Sequence, residues 1–164
     1  MTEPTQPAPL PALTNTSDWF AAPDWSLQIM ADSANDFGIG FAVTLFMPWG
    51  RASGLINSAE SYFEWGFSTA QGMIPDDLED GARALATAHS QWFEKWREQM
   101  KKRREESQRR SDGGENEETT DLNGSGMPGF IHLSDVTCYS PAPVHFDFLR
   151  VKIQAVTGWT LGRS

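Results

Sequence analysis

The stretch from Gly38 to Ile56, GIGFAVTLFMPWGRASGLI, constrains the fold more than any other part of the chain. Phe41, Val43, Leu45 and Met47 alternate with Gly40, Ala42, Thr44 and Phe46, the period of two that gives a strand one large-residue face. Pro48-Trp49-Gly50 supplies a turn, because proline fixes φ and removes a donor while glycine admits a positive φ. A second strand follows from Arg51 to Ile56, with Gly54 inside it at a place where a bulge or a close backbone approach is expected. A lone hairpin is marginal in water. Its partners must come from elsewhere, and the sequence offers them only near its end.

Taken in order, residues 1–17 hold Pro4, Pro7, Pro9 and Pro11 among small and polar residues, a composition that buries too little to offset its ordering entropy, so a disordered tail is expected. The remainder, 18–164, reads as one α+β domain. Asp24 can cap a helix running from Trp25 to Phe37 and Gly38 can close it. Its stripe is read as 25, 29, 30, 34 and 37, with Trp25 anchoring the helix on the sheet. Residues 58–110 form a helical insertion. Ser58 caps a first helix, which Gly66 and Gly72 weaken, and Pro75-Asp76-Asp77 opens a longer one. Along the latter, Leu78, Ala82, Leu85, His89, Trp92, Trp96 and Met100 recur at three- and four-residue intervals, and His89 is read as a packed polar residue.

The insertion then turns basic. Eight of the 13 Lys and Arg residues fall between Lys95 and Arg110, although the whole chain carries a formal charge of −9. Lys101, Lys102, Arg103, Arg104, Arg109 and Arg110 are the candidate partner-binding residues, an electrostatic handle for an acidic surface, set against a plain solvated helix in which opposite charges support one another. Residues 111–129 read as a flexible acidic linker that brings the chain back. Phe130 to Tyr139 is a strand with a register change expected near Asp135, Val144 to Val156 a long strand with a bulge near Phe148, and Trp159 to Gly162 a short closing strand. The strands are drawn as 39–47, 51–57, 130–139, 144–156 and 158–162. They build a small, strongly bent antiparallel sheet or a barrel, with an N-terminal helix and the helical insertion between strands 2 and 3.

Chemistry-bearing motifs are absent. No phosphate loop, nucleophile elbow, HExxH or cysteine pair occurs, so no catalytic residue, cofactor or metal site is expected. Cys138 is the sole cysteine; with His132 or His145 it can be drawn as a nucleophile and base, a pairing that only geometry can support. Asp76, Asp77, Glu79 and Asp80 are explained by the helix dipole. The first twenty residues lack the basic start and apolar run of a secretory signal, and no apolar run approaches a membrane span, so a cytoplasmic protein without a membrane partner is expected. The negative balance disfavours nucleic acid, whose general grip depends on neutralising phosphates.

Two blocks carry a family resemblance. FGIGFAVTLFMPWGRASGLINSAESYFE, with its glycine-bearing strand SGLI and acidic-aromatic helix ESYFE, and later FIHLSDVTCY followed by FLRVKIQAVTGWTLG, resemble in order the opening and closing blocks of the gas vesicle accessory family GvpU. That resemblance implies a non-enzymatic, cytoplasmic, vesicle-associated protein that serves buoyancy by protein–protein interaction. Its partners would be the vesicle shell, other gas vesicle proteins, or further copies of itself. The order of elements also resembles small Sm-like barrels, which implies RNA binding as the alternative function. The strand pair, however, shows no basic and aromatic array for base stacking.

Overall fold

A computed structural model describes residues 23–75, 77–112 and 127–163. The expected tail at 1–17 lies outside these residues, as does most of the 111–129 linker. Helix α1 (Trp25–Phe37) leads into β1 (Ala42–Met47) and β2 (Gly50–Asn57); helices α2 (Ala59–Gly72) and α3 (Asp80–Asp112) follow, and the chain ends with β3 (Phe130–Tyr139), β4 (Pro143–Lys152) and β5 (Gly158–Leu161). The strands form one antiparallel sheet in the order β4-β3-β2-β1-β5. The front hairpin therefore meets the back of the chain along two seams, β2 with β3 and β1 with β5. β4 and β5 do not pair, so the sheet is open rather than a closed barrel. The fourth strand is shorter than its apolar pattern suggests: it stops at Lys152, and a 3-10 turn at Ile153–Ala155 sinks Ile153 into the core.

Helix α1 starts and stops where its capping residues dictate. The Asp24 carboxylate accepts the Leu27 N–H at 2.9 Å, and Gly38 takes a left-handed φ of 67° while donating its N–H to the Ala34 carbonyl. The buried face is not the one formed by the largest residues. Leu27, Ala31 and Ala34 pack on Val43, Leu45, Ile56, Ile131 and Leu133, while Trp25 is 58% exposed and Phe37 55%. Small residues bring the helix axis close to the sheet; of the expected stripe Ala34 and, in part, Met30 pack inward, while Trp25, Ile29 and Phe37 are left outside. Trp25 is thus not the anchor that its size suggests.

One irregularity bends the sheet. β2 and β3 shift register by one residue between Ser53 and Leu55, opposite Asp135, which adopts a φ of 50°. Gly54 sits there because a Cβ would stand 3.0 Å from the Ser134 carbonyl oxygen and 3.2 Å from the Leu133 Cβ. β4 keeps constant register with β3 throughout, Leu133 facing Leu149 and Val136 facing Phe146. The change of parity expected near Phe148 is therefore β4 following β3 through the Asp135 bulge, with no bulge of its own against β3. The Arg163 guanidinium pairs with the Asp135 carboxylate across three strand positions, about 14 Å in a flat sheet; such a pair requires the sheet to coil. Inside the coil the Thr44 and Ser53 hydroxyls hydrogen-bond at 2.9 Å, which satisfies two buried polar groups.

Helices α2 and α3 form an antiparallel hairpin. Ser58 caps α2 by accepting the Ser61 N–H at 3.1 Å. The packed face of α3 is rotated from the expected stripe: Leu85 and His89 are exposed, whereas Ser90 is fully buried and receives the Gln71 side-chain amide at 2.9 Å. Gly66 of α2 lets the Phe93 ring approach its backbone. His89 is accordingly a surface residue. At about 1.5 Å per residue the 33 residues of α3 extend for about 50 Å, far enough for its basic half to reach α1.

Candidate functional site

The basic half of α3 divides into two roles. Arg103 reaches across the surface to α1, 2.8 Å from Asp32 and 4.0 Å from Asp36, and Ser107 donates to Asp36 at 2.9 Å. Arg104 grips both carboxylate oxygens of Glu60 on α2, at 2.8 and 3.3 Å. Burial pushes the Asp32 carboxyl above its usual range, with the Asp36 charge acting in the same direction and Arg103 opposing both. Lys101, Lys102 and Arg109 lie exposed on the outer surface, Arg109 only 3.9 Å from Glu105 of its own helix. The side chain of Arg110 lies outside the described residues. The Glu105 pair has the i, i+4 spacing of a local helix contact; the carboxylates that meet Arg103 and Arg104 come from 71 and 44 residues away, beyond any local pattern.

Where α1, the helical hairpin and the β3–β4 edge converge, aromatic side chains border an open, mainly apolar hollow of about 180 Å³. Phe63 is its hub, 6.0 Å from Trp92 and stacked on Trp96 at 6.0 Å. His132 of β3 forms one wall with its ring 4.8 Å from that of Tyr62. It is 6% exposed, and its Nε2 finds no hydrogen-bond partner among the described residues. Burial, reinforced by the Arg150 charge, lowers its pKa to about 4, so the ring is neutral near pH 7. Arg150 stands directly opposite His132 in the β3–β4 register, with its guanidinium carbon 3.8 Å from the Phe130 centroid. A second hollow, about 260 Å³ between Trp49, Cys138 and Phe146, is lined by no charged group.

The nucleophile-and-base pairing gains nothing from this geometry. Cys138 pairs with Val144 on the core face, while His145 pairs with Thr137 on the opposite face. His132 also lies on that opposite face, since its neighbours Ile131 and Leu133 are core residues. Burial raises the Cys138 pKa, which disfavours a thiolate. His145 instead lies 3.8 Å from Asp135. Among the described residues no three His, Cys, Asp or Glu side chains gather as metal ligands, and no helix is long and apolar enough to cross a membrane.

No curated protein and no solved structure matches the chain. A family model described as "Gas vesicle protein GvpU-like" does match, over residues 24–164, from the α1 cap through the helical insertion to the end of the chain. The matched span contains both sequence blocks and both seams of the sheet, and it gives no support to the RNA-binding alternative. The chain belongs to the GvpU-like family of gas vesicle proteins.

Proposed function

We propose that this chain is a non-enzymatic accessory protein that acts in the cytoplasm by associating with the gas vesicle shell. The observation that carries this reading is the family match over 24–164. The outward-facing Lys101, Lys102 and Arg109 support it: on a chain of net charge −9 they form a local positive surface for an acidic partner. Arg110 belongs to the same basic run, while Arg103 and Arg104 serve it by fixing α3 in place. Self-association is the second reading, favoured by the outer side of α1, where Trp25, Ile29 and Phe37 are exposed at four- and eight-residue intervals. Centrifugal co-flotation of the purified full chain with intact vesicles tests the proposal. Recovery with the floating shells at low salt supports it. Complete retention in the subnatant, with the protein folded, counts against it.

A further inference from the structure

The aromatic hollow between α2, α3 and the β3–β4 edge has a size and a charge arrangement that narrow what it can hold. At about 180 Å³ it falls below the roughly 300–1,000 Å³ of small-molecule sites. It is nearer the roughly 150 Å³ of a cavity that takes one benzene, and so admits a single bulky apolar side chain. Its walls suit such a group: Phe63, Trp96, Met100 and Phe130 line it, and Trp92 at its mouth remains 46% exposed. A protein anchor in a pocket of this kind is the usual form of an interaction hot spot.

The rim specifies what accompanies that side chain. Arg103 is already held by Asp32 at 2.8 Å. Arg150 rests on aromatic rings, Phe130 at 3.8 Å and Phe63 at 5.9 Å; among the described residues no carboxylate lies within 4 Å of it. Lys152, opposite Phe130 in the strand register, adds a second positive charge beside it. His132 brings no charge near neutral pH. A guanidinium stacked on an aromatic ring keeps its edge donors available for a carboxylate.

We infer that this hollow is a docking socket for a partner protein segment that carries one large apolar side chain next to a carboxylate, the apolar group packing into the hollow against Phe63, Trp96 and Met100 and the carboxylate meeting Arg150. This deepens the association reading above and rests on it for the partner's context, not for the chemistry of the socket.

The test is titration of the full chain with two synthetic tetrapeptides, acetyl-Asp-Phe-Asp-Gly-amide and acetyl-Asn-Phe-Asn-Gly-amide, followed by the NMR signals of the Trp92 and Trp96 indoles and the Arg150 amide. The acidic peptide is expected to move these signals and to bind about five-fold or more tightly than the neutral one, about 1 kcal/mol. Arg150→Gln should erase the difference, Arg150→Lys should retain part of it, and Trp49→Ser at the second hollow should leave it unchanged. Equal binding of the two peptides, or shifts confined to other surfaces, would overturn the proposal. So would binding that emerges only after Glu115, Glu117, Glu118 and Asp121 are replaced by their amides, because the occupant is then the chain's own segment. Co-flotation of the parent chain with intact vesicles separates the two readings: peptide discrimination without any shell binding sinks the vesicle reading alone, and shell binding without peptide discrimination sinks the socket alone.

Discussion

Gly66 of α2 faces Phe93 of α3 so closely that a Cβ at residue 66 would stand 2.5 Å from the ring carbons Cδ1 and Cε1. The ring cannot easily retreat, because it meets Trp92 edge-on at 5.0 Å and Phe63 at 6.3 Å. Alanine ordinarily improves a helix interior by about 1 kcal/mol over glycine, whereas forced overpacking costs about 1–3 kcal/mol. Gly66→Ala is therefore expected to destabilise the protein by up to about 2 kcal/mol, measured by denaturant unfolding. A stabilising effect would mean that the hairpin packs differently.

Gly54→Ala makes the corresponding test in the sheet. The new methyl group would press on the Ser134 carbonyl and the Leu133 side chain at the Asp135 bulge, and neither is free to move. A loss of about 1–3 kcal/mol is expected, together with amide hydrogen exchange that accelerates along β2 and β3 before it does in α3.

His132 makes stability depend on acid. Its folded pKa of about 4 lies below its ordinary 6.5, so its contribution is complete above pH 6.5 and is lost as pH falls toward 4. The full effect is on the order of 3 kcal/mol. Chemical denaturation between pH 7 and pH 4 should show this fall, and His132→Leu should flatten that part of the profile. An unchanged slope in the variant would place the titrating group elsewhere.

The Arg104–Glu60 contact should act as a modest clamp. Both side chains are only partly exposed, 34% and 17%, so solvent screens the pair incompletely and a double-mutant cycle of Arg104→Gln and Glu60→Gln is expected to give a coupling of about 0.5–1 kcal/mol. Zero coupling would detach the basic end of α3 from α2.

Much of this architecture could be read from local chemistry. Asp24 and Gly38 marked both ends of α1 through their backbone roles, the alternation from Phe41 to Met47 defined a strand, and Asp135 was where the register changed. What could not be read was which face of each helix turns inward. Spacing draws the stripe of α1 through Trp25, Ile29 and Phe37, which lie exposed, as well as through Met30 and Ala34, which do pack, and that of α3 through Leu85 and His89; close packing favours Ala31, Gly66 and Ser90. The basic run was plain in sequence, yet its division into Arg103 and Arg104, paired with neighbouring helices, and the outward Lys101, Lys102 and Arg109 depends on carboxylates brought in by the fold. The aromatic socket was invisible for the same reason, since Phe63, Trp96, His132 and Arg150 come from four separate elements.

The most direct test of an association function is a binding isotherm of the full chain on intact gas vesicles, recorded at about 0.05 M and about 0.5 M salt, where exposed charges are weakly and strongly screened. Saturable binding at the lower salt, weakened several-fold at the higher and weakened likewise by neutralising Lys101, Lys102 and Arg109 together, is the predicted result. A folded protein that shows no saturable binding to the shells at either salt would contradict it.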